Sequence, residues 1–337
     1  MNSSTLLDIL ADGDFHSGQD LGVRLAVSRT AVWKQIRKLR ATGLQIQSVT
    51  GKGYRLSSRQ GLLRRERILA KLPPELANSL QIELALSIDS TNAEAMRHVQ
   101  NGLRGPALFV AEQQSAGKGR RGRQWLSPMA SNIYMSLVWP FDGSVSTLEG
   151  LSLITALAVV DALERNGCNG ISVKWPNDVL LGGKKLAGIL LELHGDMEGP
   201  LQVIVGVGLN VSMPPDQLES LERPATDLVS HFSATFDRNL LLADLVEALF
   251  SRLNLFQARG FGAFRKEWEA LDSHLGRWVN IESGKNTTTG RVLGVDDSGA
   301  LRLQTSDGEL VIRGGEVQTS LRPVNDASDP VENDNDS

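Results

Sequence analysis

Apolar positions over the first sixty residues recur at helical spacing in short runs. Leu6, Leu7 and Leu10 make the inner face of a first helix. Ser17 stands before Gly18 to Leu25 as an N-cap, its hydroxyl placed to accept from the unpaired amides of a helix start. A tight turn at Ala26 and Val27 follows, and Ser28 caps a helix in which Val32, Ile36 and Leu39 fall at i, i+4 and i+7. Arg29, Thr30, Trp33, Lys34 and Arg37 are left on the opposite face. The period then drops to two: Gln45 to Val49 and Tyr54 to Leu56 alternate around Thr50-Gly51-Lys52-Gly53, which predicts a hairpin with a basic tip. The pattern is that of a winged helix-turn-helix over residues 1–60.

Residues 61–80, with Lys71-Leu72-Pro73-Pro74, read as a linker of one helix and a turn. Beyond them strands are predicted at Ala107 to Glu112, Asn132 to Trp139, Ser172 to Lys174, Ala187 to Leu193 and Gln202 to Leu209. Helices are predicted near Asn92 to Gln100, Leu151 to Arg165 and Leu240 to Gln257. That mixture predicts an α+β multidomain chain with a central α/β sheet domain over 81–272. From 273 to 323 short strands are separated by Asp297-Ser298-Gly299 and Ser306-Asp307-Gly308 turns without helical period, which predicts a small SH3-like β-barrel. Residues 324–337 are rich in Asn, Asp and Ser and hold too little apolar surface to offset ordering entropy, so a disordered acidic tail is expected.

Charge sharpens this division. The net charge of −4 hides a head without an acidic residue from Leu21 to Arg65, and that stretch is dense in arginine and lysine. Such a head suits a polyanion. The single cysteine, Cys168, excludes an intramolecular disulfide framework and a multi-cysteine zinc site, and its expected role is packing. The amino terminus has neither a basic n-region nor a long apolar core, and no later apolar run reaches about 18 residues. An unexported, cytoplasmic protein without a membrane partner is expected.

Several chemistries are excluded. Gly117-Lys118 is followed by Gly119 and preceded at the fifth position by Glu112, so it is no Walker A loop. The five histidines show no metal-ligand spacing, and no GxSxG elbow occurs. What stands out is the segment Gly117-Lys118-Gly119-Arg120-Arg121-Gly122-Arg123-Gln124-Trp125 after a strand. Its glycines let backbone amides approach a ligand, and its cations hold phosphate or carboxylate oxygens. By itself such a loop fits a flexible RNA-binding or solvated segment equally well.

Its context is a second cluster, Lys174-Trp175-Pro176-Asn177-Asp178-Val179-Leu180, running into Lys185-Leu186-Ala187-Gly188-Ile189-Leu190. Upstream lies Asp89-Ser90-Thr91-Asn92 and downstream Gly206-Val207-Gly208-Leu209-Asn210. In this order and spacing the blocks resemble the biotin protein ligases. The head, with LADGDFHSGQDLG, SRTAVWK and TGKGYRL, is similar to that of the biotin operon repressors, and the resemblance spans roughly residues 5 to 322.

The resemblance implies a biotin site of Ser90, Thr91, Asn92, Gln114, Lys118, Gly119, Arg120, Lys185 and Gly188. Ser90, Thr91 and Gln114 would meet the urea-like ring, while Arg120 and Lys185 would meet acyl and phosphoryl oxygens. Ser90 and Thr91 also read as a helix cap, and the two roles are compatible. The family has arginine where this chain has Lys118, which exchanges a planar fork for a point charge. Trp125, Asn177, Gly208 and Asn210 would face the nucleotide, although Trp125 also reads as core. Arg120, Lys185 and Asp178 would be catalytic, with Asp178 near a magnesium ion or the incoming amine; an Asn-Asp pair after proline is equally an ordinary turn.

Further implied are biotin, ATP and magnesium, a biotinyl-adenylate intermediate, and transfer of biotin to a lysine of biotin carboxyl carrier protein. Positioning and charge stabilisation by Arg120, Lys185 and magnesium would suffice without an enzyme nucleophile. The head would bind operator DNA through Ser28, Arg29, Thr30, Lys34, Arg37 and Lys52, as a homodimer when adenylate is bound. Trp33 on that face is open to three readings, covering the helix surface, touching a thymine methyl or, first among them, packing against a neighbour. Val211 to Thr226 and the glycine-rich loop are the segments expected to order over the adenylate. Two rivals remain at this stage: a regulator that senses a biotin-like ligand without catalysis, and a ligase for lipoate or another acyl group. Glu316 and Arg322 fall in the barrel without an assignable role.

Overall fold

The computed structural model describes residues 3–10, 12, 14–41, 43, 44, 46–56, 61–195, 200–283, 286–313 and 320–323. Glu316 and the tail 324–337 lie outside the described residues, as does the side chain of Arg322. The head comprises α1 (Ser3–Leu10), α2 (Gly18–Arg24), α3 (Arg29–Ala41) and the hairpin β1 (Ile46–Val49) and β2 (Gly53–Leu56). The caps form as their residue types predict: Ser17 Oγ accepts from Asp20 N at 3.0 Å and Ser28 Oγ from Ala31 N at 3.2 Å. Leu6, Leu7, Leu10, Leu21, Val32, Ile36 and Leu39 close the head's core. Gly53, at φ +105°, lies where any Cβ would collide with the backbone of His16, which pairs with Tyr54 beside the hairpin.

Residues 61–80 connect the domains, and they are packed rather than loose. They form α4 (Arg65–Leu69) and α5 (Pro74–Ser79), and Leu63, Ile68, Leu72 and Leu80 enter the large central core. The chain entering α4 is pinned by buried polar groups: Glu112 Oε1 accepts from Leu63 N at 2.5 Å, and Asn239 Oδ1 accepts from Arg64 N at 2.7 Å.

The central sheet has seven strands: β3 (Gln81–Ala85), β4 (Ala107–Ala111), β5 (Ile133–Phe141), β6 (Ile171–Lys174), β7 (Asp178–Leu181), β8 (Lys184–Gly195) and β9 (Leu201–Leu209). Their order is β3-β4-β5-β9-β8-β7-β6, antiparallel except for β3 with β4. Three longer helices cover it, α6 (Thr91–Gln100), α7 (Leu151–Arg165) and α10 (Arg238–Arg259); α8 (Pro215–Glu219), α9 (Leu228–Phe232) and α11 (Arg265–Leu271) are short. The stretch Val145–Arg165 is apolar enough in composition to cross a membrane, but most of α7 is buried in the core shared with α10 and the sheet.

Period-two alternation decides where the site lies. Along β5, Ile133, Met135, Leu137, Trp139 and Phe141 face the α7/α10 core, and along β9 so do Leu201, Val203, Val205, Val207 and Leu209. The residues between them face α6. There Ser136 pairs in register with Gly206, Tyr134 with Gly208, and Gly208 with Gly188 of β8. The sheet face under the N-terminus of α6 therefore carries almost no side chain, and a ligand has room.

The carboxy-terminal strands β10 (Trp278–Ser283), β11 (Asn286–Val295), β12 (Leu301–Thr305), β13 (Gly308–Ile312) and β14 (Ser320–Pro323) form an antiparallel sheet ordered β13-β12-β11-β10-β14. Trp175 Nε1, buried in the turn between β6 and β7, donates to Gly299 O at 3.1 Å and ties this sheet to the central domain.

Candidate active site

A narrow slot of about 50 Å³ opens between the N-terminus of α6 and the glycine floor of β8 and β9. It runs into a cleft of about 1160 Å³ walled by the turn between β6 and β7 and by residues 220–225. Gly119, Arg120, Trp125, Asn177 and Lys185 border both, so the two form one continuous site. All nine residues expected around biotin border the slot, as do Trp125, Asn177 and Gly208; Asp178 and Asn210 border the cleft.

At the closed end the polar groups form a relay. Gln114 Oε1 accepts from Thr91 N at 2.8 Å and from Thr91 Oγ1 at 3.2 Å, and Gln114 Nε2 donates to Ser127 Oγ at 3.0 Å. Ser136 Oγ lies 2.8 Å from Thr91 Oγ1 and 2.5 Å from Asn92 Oδ1. Asn92 Nδ2 donates to Glu192 Oε2 at 2.7 Å, which clamps α6 to β8. Ser90 occupies the N-cap position of α6 without making a capping bond, and its residue is buried. The cap reading thus holds for its place and not for its hydroxyl. Fixed donors and acceptors in a desolvated slot suit an uncharged polar ring.

Small residues let large ones close in. A Cβ at Gly206 would overlap Asn92, one at Gly208 would overlap the Trp125 ring, and one at Gly188 would come within 2.8 Å of that ring. Trp125 therefore rests on backbone, half-buried, with Nε1 shielded from solvent and without a partner. It belongs to the site wall and not to a hydrophobic core.

The glycine- and arginine-rich loop is ordered as a small hairpin: Gly119 N donates to Arg123 O and Trp125 N to Gly117 O, both at 2.8 Å. Arg120 Nη1 donates to Asn177 Oδ1 at 3.2 Å, and burial pushes its pKa down while the charge of Asp178 opposes the shift. Asn177 Nδ2 is spent on Ile189 O, at 2.9 Å. Lys185 Nζ lies 2.5 Å from Asp178 Oδ1 and 5.3 Å from the centre of the Trp125 ring. Two cations thus flank the passage from slot to cleft, one held by an amide and one by a carboxylate. A carboxylate and a phosphate brought together there would have their charge offset. Lys118 stands exposed at the rim. Asn210 uses Nδ2 on Thr226 O at 3.1 Å and its backbone N on Leu186 O, so it anchors the segment 211–226 to the sheet.

Ser127, Ser136 and Glu192 complete the relay and were missed as site residues. The strand Ile133-Tyr134-Met135-Ser136-Leu137-Val138 does carry a signal, because a serine inside an apolar run needs a partner. No local pattern marks Ser127 or Glu192. Among the described residues, the one trio of His, Cys, Asp or Glu side chains close enough to share a metal is Glu83, Glu94 and His98, on β3 and α6 and away from the cleft.

On the head, Ser28, Arg29, Thr30, Lys34, Arg37 and Lys52 are all exposed. Trp33 is 46% exposed and lies against its neighbour Arg37, whose guanidinium is 5.1 Å from its ring centre. Its position falls on the outer face of α3, between the buried ridge residues Val32 and Ile36.

Comparison with known proteins matches each part. Residues 84–210 fit the biotin/lipoate A/B protein ligase family, residues 2–55 an HTH domain, and residues 274–319 the biotin protein ligase C-terminal domain. The bifunctional ligase/repressor BirA of Salmonella typhimurium is 37% identical over 318 residues, covering 94% of this chain and 97% of that one. The BirA of Bacillus subtilis is 32% identical over 309 residues, covering 91% and 95%. Among solved structures, the biotin protein ligase of Aquifex aeolicus in complex with biotin and ATP superposes with a TM-score of 0.62 at 30% identity, covering 72% of this chain and 99% of that one. The curated relatives are matched over nearly their whole length, and the chain belongs to the biotin protein ligase family, among its bifunctional ligase/repressors.

Proposed function

We propose that this chain condenses biotin with ATP to biotinyl-5′-AMP at the slot and cleft, then transfers the biotinyl group to a lysine of biotin carboxyl carrier protein. The observation that carries this reading is the polar slot ending between two cations, Arg120 and Lys185, at the mouth of a larger cleft. The ureido ring would lie at Ser90, Thr91 and Gln114, and the carboxylate would reach Arg120 and Lys185. Attack of that carboxylate on the α-phosphorus forms the O–P bond and expels pyrophosphate. In the second step the carrier amine forms the amide bond, AMP leaves, and the amine's proton is lost. Arg120 and Lys185 would hold the oxygens on which charge gathers, and Trp125 with Asn177 and Asn210 would bound the nucleotide. Asp178 fits a magnesium ion as one carboxylate beside ligand phosphates, the usual way this ion is held. When bound, the ion would offset polyphosphate charge.

The exposed basic face of α3 with Lys52 fits operator DNA, and adenylate-filled protein would pair and repress a biotin operon from a two-fold site. The working parts would be the head at 1–60, the linker at 61–80, the catalytic domain at 81–272 and the β domain at 273–323, in a cytoplasmic protein. The test is incubation of purified protein with ATP, magnesium and biotin, scoring adenylate and then transfer to a carrier lysine. Arg120→Ala is expected to lower adenylate formation about 10²-fold or more. Tight biotin binding without adenylate would overturn the ligase reading for this chain. Equal use of lipoate would overturn its specificity, and adenylate that leaves dimerisation unchanged would overturn the repression scheme.

A further inference from the structure

His274 borders the large cleft at the start of the β domain, in the loop between α11 and β10, and no part of the mechanism above uses it. It is 8% exposed. Ser273 Oγ lies 2.9 Å from Val173 O and 2.7 Å from His274 Nδ1. A carbonyl only accepts, so the one hydroxyl proton of Ser273 goes to Val173. His274 Nδ1 must then carry a proton and donate to Ser273, which leaves Nε2 as the nitrogen with the lone pair. The loop cannot slide away from this position, because Ser273 N also donates to Val173 O and Asp272 Oδ1 holds His274 N at 3.0 Å.

The groups around the ring are mostly cationic. Lys174 ends β6 beside it and Arg277 precedes β10; Arg121, Arg123, Glu222 and Arg223 border the same cleft. Asp272 is the nearest acid on its own loop. Burial, then the charges of Lys174 and Arg277, push the His274 imidazolium down to about 4, so the free protein holds the ring neutral at physiological pH. A neutral base with its lone pair on Nε2, bordering a cleft and set among cations, gains a proton when polyanionic charge arrives.

Resting on the reading of the cleft as the ATP site, we propose that His274 takes up a proton from solvent at Nε2 when the polyphosphate of ATP enters the cleft, and gives it back when pyrophosphate departs. One ligand charge about 7 Å away, at an effective dielectric constant of about 20, raises an imidazole pKa by roughly two pH units. Starting from about 4, the bound ring then titrates near pH 6, so pyrophosphate binding at pH 6 takes up about half a proton per site. The affinity gains about twofold between pH 8 and pH 6 from this group.

The experiment is calorimetric titration of the full-length protein with inorganic pyrophosphate and with ATP, each with magnesium, at pH 6 in buffers of different ionisation enthalpy. The proton titration of the ligands themselves is common to every variant and cancels in the comparison. His274→Asn keeps a donor for Ser273 but no titrating ring, and His274→Phe keeps the ring volume; Asp272→Asn removes the other titrating group of the loop. The expected result is an uptake in the wild type greater than in either His274 variant by about half a proton, with the same excess when Asp272→Asn is compared with Asp272→Asn carrying His274→Asn. Binding with equal uptake in wild type and His274→Asn, or an excess that disappears with Asp272→Asn alone, would each overturn the role of His274. Failure of the wild type to bind either ligand would instead overturn the reading of the cleft on which the role rests.

Discussion

Glu112 and Arg238 form an ion pair of 2.7 Å at 1% and 0% side-chain exposure, and its removal gives the sharpest test of how the site is held. Arg238 Nη1 also donates to Asn132 O at 2.9 Å and Nη2 to Gly61 O at 2.5 Å, while its Nε has no partner among the described residues. Glu112 Oε1 accepts from Leu63 N. The pair thus joins the end of β4, the start of β5, the start of α10 and the chain arriving from the head. Glu112→Gln keeps the shape and an acceptor but leaves a buried guanidinium without a counter-charge, a change that costs about 3–5 kcal/mol. For a unit of this size that corresponds to a fall in Tm of roughly 6–20 °C. The assay is thermal and urea unfolding of wild type, Glu112→Gln, Arg238→Met and the double variant. The double variant should lose less than the sum of the single losses by 2 kcal/mol or more, since no charge is then stranded. A loss under about 1 kcal/mol in Glu112→Gln, or additive single losses, would refute the argument.

Gly208→Val should abolish biotin and nucleotide binding while leaving unfolding near that of the wild type, because the new side chain takes the place of the Trp125 ring on an otherwise open face; equilibrium binding and circular dichroism read the two effects, and retained affinity would show that the floor need not be bare. The loop Asp272–His274 should make stability nearly flat between pH 4 and pH 6. Burial raises Asp272 to about 6, so the folded state binds more protons there, and burial lowers His274 to about 4, so the unfolded state binds more; the slopes oppose. Asp272→Asn should therefore lose on the order of 2 kcal/mol on acidification from pH 6.5 to 4, and His274→Phe should gain stability from pH 6 to 4. Chemical denaturation at fixed pH values measures both slopes, and parallel curves for the two variants would contradict the assignment.

Helices and strands were legible where a periodic apolar pattern ran long enough. Leu151 to Arg165 is helical over that span, and β5, β8 and β9 lie within a few residues of expectation. β3 and β7 escaped notice for different reasons. Gln81–Ala85 is an edge strand with one buried residue, so its pattern is weak, and Asp178–Leu181 sits directly behind a turn motif that reads as loop. At the site the glycines could be read as room for a ligand, but what fills that room could not. Ser127, Ser136 and Glu192 act across 13, 45 and 100 residues of separation, and only tertiary register brings them to Gln114, Thr91 and Asn92. Asn210 borders the cleft as expected, but its second task was not legible: Nδ2 binds the backbone of Thr226, a partner that local sequence does not mark.

The short run 125–130 shows why head and site must be understood together. Trp125 lies on the glycine floor and Ser127 accepts from Gln114, whereas Met129 and Ala130 are buried in the head's own core. Ala130, at φ +53°, returns its N–H to Glu112 O at 3.0 Å, and Tyr134 Oη donates to Pro128 O at 2.9 Å. The second half of the run is therefore held to the central domain, by the Ala130 backbone bond and by the Tyr134 hydroxyl on Pro128 O. A movement of the head that carried Met129 would act on Ser127 two residues away and so on the amide that fills the end of the slot. Rotation of Trp125 toward a ligand would load the same run from the other side. The positive φ of Ala130, strained for any residue with a Cβ, lies at the point where the two loads meet.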